Sequence, residues 1–80
     1  MSAKQRTAGQ TPPPERLLAR VRGEYVEMPG LRLTPAQACR LWRLDLATCE
    51  ELFDHLLREG FLSRTRGGFY IASQETRERI

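Results

Sequence analysis

Residues 34–52 read TPAQACRLWRLDLATCEEL, and the caps and apolar spacings within them decide the architecture. Thr34 stands before Pro35 and three residues ahead of Gln37. Its hydroxyl can accept from the Gln37 amide while the Gln37 side chain reaches back to the Thr34 amide. Proline is tolerated at the first helical position because the N–H it lacks would be unpaired anyway. This predicts a helix from Pro35 to about Trp42. Asp45, three residues on, is a good N-cap for another helix, Leu46 to Glu59, which Gly60 closes. On that helix Cys49, Leu52, Phe53, Leu56 and Leu57 fall at i, i+3, i+4, i+7 and i+8, a continuous face to bury.

On the N-terminal side, Leu17, Leu18, Val21, Tyr25 and Met28 recur at helical spacing and predict a helix from about Glu15 to Met28. Gly23 weakens it by roughly 1 kcal/mol relative to alanine, and Pro29-Gly30 ends it. Leu31-Arg32-Leu33 is long enough for a small strand only. On the C-terminal side, Phe61–Thr65 and Phe69–Ala72 are rich in strand formers, with Arg66-Gly67-Gly68 between them as a hairpin turn. Ser73–Ile80 is polar and is expected to fray. Met1–Pro14 has almost no apolar content and ends in three prolines; it cannot offset its chain entropy by burial and is expected to be a disordered tail. The expected domain therefore spans 15–72, mainly α with a small β-hairpin. Two short helices joined by a turn of about three residues form the helix-turn-helix motif.

Eighty residues with two cysteines allow one small domain and no disulfide scaffold. No stretch approaches the roughly 20 apolar residues of a membrane span or resembles a signal peptide, so a cytoplasmic chain with no membrane partner is expected. Gly67-Gly68 is a lone pair rather than a phosphate-binding pattern. Cys39, Cys49 and His55 are too few to hold zinc. No nucleophile, base and orienting group stand out as a set. No cofactor, metal or enzymatic activity is expected.

From about Leu17 to Ala72 the chain resembles the winged helix-turn-helix family of bacterial DNA-binding domains. The resemblance is clearest in residues 34–52, in Leu56-Leu57-Arg58-Glu59-Gly60-Phe61-Leu62, and in the Gly-Gly hairpin. Ala38, Trp42, Leu44, Cys49 and Leu52 match the family's buried positions, and Cys39 matches the small residue at the helix crossing. The turn position usually held by glycine is Arg43, a departure that bears on the turn geometry. The chain is also similar to a group of short bacterial proteins carrying the phrase EYVEMPGLRLT, here residues 24–34, from which no activity transfers.

The resemblance implies a small transcriptional regulator that binds double-stranded DNA, with the start of the third helix in the major groove and the wing on the backbone or minor groove. Leu46, Ala47, Thr48, Glu50 and Glu51 would then be the base readers. Arg64, Thr65, Arg66 and Gly67 would make the wing contacts, and Arg32, Thr34, Arg40 and Arg43 would flank the phosphates. Charge placement complicates this. Residues 45–59 hold Asp45, Glu50, Glu51, Asp54 and Glu59 against Arg58 alone, a net −4. The rest, with twelve Lys and Arg against five Glu, carries +7. An acidic reading helix opposes phosphate contact, although a glutamate can accept from cytosine N4. The alternative is a winged helix used for protein–protein contact, its acidic helix docking a basic partner. A homodimer is also open, since a module this small offers little DNA interface; the apolar residues of the first helix or the end near Ile80 offer a contact.

Other residues carry plainer expectations. Cys39 and Cys49 should lie close together as small core thiols, Trp42 should anchor the core, and Asp54 should pair with Arg58. His55 should be solvated, and Tyr25 should pack on the third helix with its hydroxyl at the surface. Lys4 and Arg6 should be solvated.

Overall fold

The computed structural model describes residues 13–80, so the tail expected over 1–14 lies, except for its last two prolines, outside the described residues. The elements are α1 (Glu15–Glu27), β1 (Arg32–Leu33), α2 (Pro35–Trp42), α3 (Leu46–Arg58), β2 (Leu62–Arg64), β3 (Tyr70–Ala72) and α4 (Gln74–Arg79). The fold is mainly helical with a small three-stranded antiparallel sheet. Helices α1 and α3 each stop one residue short of expectation, leaving Met28 and Glu59 as their C-caps. Among the described residues no helix is long and apolar enough to cross a membrane.

The caps work as their chemistry requires. Thr34 Oγ1 accepts from the Gln37 amide at 3.1 Å, and Gln37 Oε1 accepts from the Thr34 amide at 3.0 Å. Asp45 accepts from both the amide (3.1 Å) and the hydroxyl (2.6 Å) of Thr48. At the end of α3, Phe61 N–H reaches the Leu56 carbonyl and Gly60 N–H the Leu57 carbonyl, both at 3.0 Å, with Gly60 at φ +81. This paired closure uses glycine's tolerance of the left-handed conformation. Arg43 does the same work at the end of α2 without that tolerance, at φ 57 and ψ 47, and costs about 1 kcal/mol or more. The departure at the glycine position thus leaves the turn geometry intact.

The core is built from Leu18, Val21 and Tyr25 of α1, Ala38 and Trp42 of α2, and Cys49, Leu52, Phe53 and Leu56 of α3, closed by Leu33, Leu62 and Ala72. Leu44 and Cys39 are half-buried beside it. Three rings stack in series. Tyr70 lies parallel on Phe53 with centroids 4.3 Å apart, and Trp42 meets Phe53 edge-on at 6.0 Å. Tyr25 departs from expectation: it is fully buried, and its hydroxyl donates to the Tyr70 carbonyl at 2.7 Å. Burial raises its pKa well above the ordinary tyrosine value.

Two further corrections concern long-range order. The two-stranded hairpin is part of a sheet of order β1-β3-β2, in which Arg32 pairs with Ile71 and Leu33 with Tyr70. The end expected to fray over 73–80 instead contains α4. Ser73 accepts from the Thr76 amide at 3.1 Å while its own hydroxyl donates to the Gly60 carbonyl at 2.7 Å, and the Thr76 hydroxyl donates to the Phe61 carbonyl at 2.7 Å. The helix is anchored by hydrogen bonds to the closing turn of α3 rather than by an apolar face, which is why the hydropathy pattern missed it. Regular structure therefore continues past 72.

Candidate functional site

Helical periodicity turns Ala47, Glu50, Glu51 and Asp54 away from the core, and all four are exposed. They form one wall of a groove of about 550 Å³. Pro35 at the start of α2 and Arg64, Gly68 and Tyr70 of the hairpin complete the lining. The sheet places the hairpin residues: Arg64 is directly opposite Tyr70 in register, so both side chains leave the same face. Ile71, the next residue of β3, leaves the other face and lines a separate hollow with Arg32, Thr65 and Arg77.

The expected site is therefore split. Ala47, Glu50, Glu51 and Arg64 come together in the groove, whereas Arg32 and Thr65 belong to the second hollow. Arg32 lies with its guanidinium 4.3 Å from the centroid of the Phe69 ring. Thr65 is spent on the turn, its Oγ1 accepting from the Phe69 amide at 3.1 Å and its N–H bonding the Phe69 carbonyl at 2.8 Å. Thr34 is spent on the α2 cap, and Thr48 gives both its amide and its hydroxyl proton to Asp45. Those Thr48 bonds hold the Asp45 carboxyl below its usual range. Leu46 is exposed at the start of α3; Arg40 and Arg43 are exposed on α2 and its closing turn, and Arg66 and Gly67 at the hairpin tip.

The arginines divide into two groups. Arg22 bonds Glu59 at 2.8 Å and Glu15 at 3.1 Å, Arg58 pairs with Asp54, and Arg79 pairs with Glu75. Arg16, Arg20, Arg32, Arg40, Arg43, Arg64, Arg66 and Arg77 make no ion pair among the described residues, and neither do Glu50 and Glu51. The groove thus carries uncommitted charge of both signs, the Glu50 and Glu51 carboxylates on α3 and the Arg64 guanidinium on the hairpin.

His55, Glu59 and the two cysteines are tied to the fold. His55 is half-buried rather than solvated, its Nε2 2.9 Å from Glu59 Oε2. The Arg22 guanidinium, with His55 adding, holds the Glu59 carboxyl below its ordinary value. Cys39 and Cys49 are free; the Cys39 Sγ donates to the Ala36 carbonyl at 3.3 Å. Burial first, with nearby Cys39, Asp45 and Glu50, pushes the Cys49 thiol up to about 11, so it stays protonated as a core residue. Among the described residues no group of three or more His, Cys, Asp or Glu could hold a metal ion. Pro35, Asp54, Gly68 and Tyr70 were not expected in the site. Asp54, four residues after Glu50, was readable from helical spacing; the other three depend on how the hairpin folds over α3.

Comparison with protein families, with curated proteins and with solved structures finds no match to this chain.

Proposed function

We propose that the chain is a winged helix-turn-helix protein that binds double-stranded DNA as a small transcriptional regulator. The observation that carries this reading is where four of the eight exposed arginines without ion pairs among the described residues lie: Arg40 and Arg43 at the end of α2 and Arg64 and Arg66 on the hairpin. They sit on the two elements that accompany α3. A guanidinium with no internal partner gives up nothing but solvent when it meets a phosphate. In this reading the arginines hold the backbone. Glu50 and Glu51 limit the approach of α3 to positions where a cytosine amino group can donate to them. Thr48 cannot donate to a base, because its hydroxyl proton is committed to Asp45, but its oxygen can still accept from one.

The test is a titration of the full chain against a mixed-sequence duplex over a salt series. Four phosphate contacts predict a slope of log affinity on log salt near −3.6, and Arg64→Ala with Arg66→Ala should reduce its magnitude by about 2. Absence of saturable binding at micromolar protein and low salt, or a slope unmoved by the double substitution, overturns the reading.

A further inference from the structure

We propose that the groove between α3 and the hairpin binds an arginine-bearing segment of a partner protein, and that this segment and DNA compete for one face of the molecule. The binding of the segment stands on the groove alone; only the competition rests on the DNA reading. The groove's volume of about 550 Å³ lies inside the roughly 300–1,000 Å³ of ligand clefts. Its α3 wall presents Glu50, Glu51 and Asp54, and Glu50 and Glu51 have no cationic partner among the described residues. A cation seated in the groove meets carboxylates that have no internal competitor among the described residues. A phosphate in the same place would meet the carboxylates directly.

The chemistry favours arginine over a simple ammonium. The planar guanidinium forks onto carboxylates with two parallel hydrogen bonds and lies flat on aromatic rings. The groove offers both surfaces at once. Tyr70 lines it and is held in place by the parallel Phe53 ring 4.3 Å beneath, while Pro35 and Ala47 supply apolar surface for the aliphatic stem. Arg64 is the one cation in the lining. Its charge repels such a segment and attracts a phosphate, so the two ligands make opposite demands on the same residues.

The experiment uses the full chain and a fluorescein-labelled peptide of five Arg-Gly repeats, with a Gln-Gly peptide as the neutral control. Saturable one-to-one binding is expected for the arginine peptide only. Glu50→Gln with Glu51→Gln should weaken it about tenfold, and Arg64→Ala should leave it equal or tighter. Both glutamates are exposed and make no ion pair among the described residues, so the fold is expected to survive, as the circular dichroism spectrum checks. Amide shifts on binding should concentrate at Ala47, Glu50, Asp54, Gly68 and Tyr70. In a mixed titration the peptide should displace duplex DNA. No saturable binding, an affinity unchanged by the glutamine pair, or shifts centred elsewhere overturns the proposal. Loss of DNA binding alone, with peptide binding intact, overturns the DNA reading and the competition and leaves the peptide site standing.

Discussion

Helix α3 has two faces with different tasks. The inner one, Cys49, Leu52, Phe53 and Leu56, is fully buried. The outer one, Ala47, Glu50, Glu51 and Asp54, is exposed along the groove. Both ride on the same thirteen residues of backbone. The inner face is dictated by volume and shape, since each residue must fill a space that its neighbours define. No packing demand reaches the outer face, so its uncommitted carboxylates are free to be set by what the molecule binds. The fold can therefore be argued from the inner face with little freedom, and function depends on the outer face.

The strongest challenge to this contrast is Phe53→Ala. The ring touches both Trp42 and Tyr70 and is fully buried, so its loss should cost about 3–5 kcal/mol. A domain of this size has little more than that to lose. Urea or thermal unfolding should show a chain that is largely unfolded or close to it at 25 °C. A loss below about 1 kcal/mol would mean that the ring stack does not organise the core.

Arg43 gives a case in which an exposed residue does affect stability. It holds φ 57 at the end of α2, a conformation that glycine adopts at Gly60 without penalty. Arg43→Gly should raise stability by about 1 kcal/mol, read as a higher urea midpoint at unchanged slope. If the arginine is kept for phosphate contact, the same substitution should weaken DNA binding while the fold improves. An unchanged or lower midpoint would show that the arginine side chain offsets its own backbone cost.

How much was legible follows the same division. The three longer helices and their caps could be read because their signals are local: Thr34 with Gln37, Asp45 before α3, Gly60 after it, and apolar spacing within each helix. The third strand was only half legible. Leu31-Arg32-Leu33 looked like a strand, but its pairing with β3 spans almost forty residues and leaves no local mark. Helix α4 did have a cap at Ser73, an acidic first turn and a basic last turn, yet without apolar periodicity these looked like an ordinary polar end. Its anchor is the pair of hydroxyl bonds to the Gly60 and Phe61 carbonyls, which no pattern of hydropathy encodes. In the site, Glu50 and Glu51 were legible as exposed acids, but Tyr70 and Pro35 joined them only through tertiary placement.

The smallest expected effect is the most discriminating test of the contrast. Glu50 is exposed, has no ion-pair partner among the described residues, and stands four residues before Asp54 on the same face. Like charges at that spacing disfavour a helix by about 0.2–0.5 kcal/mol. Glu50 also lies beyond the first turn of α3, where the helix dipole would otherwise reward an acid. Glu50→Gln should therefore leave stability unchanged or raise it by up to about 0.5 kcal/mol, with the gain shrinking as salt screens the repulsion. Urea midpoints at low and high salt measure both. The substitution keeps the shape of the side chain and removes only its charge. A loss above about 1 kcal/mol would therefore mean that the carboxylate supports the fold. The outer face of α3 would then be structural after all, and its acidity would no longer argue for a cationic partner.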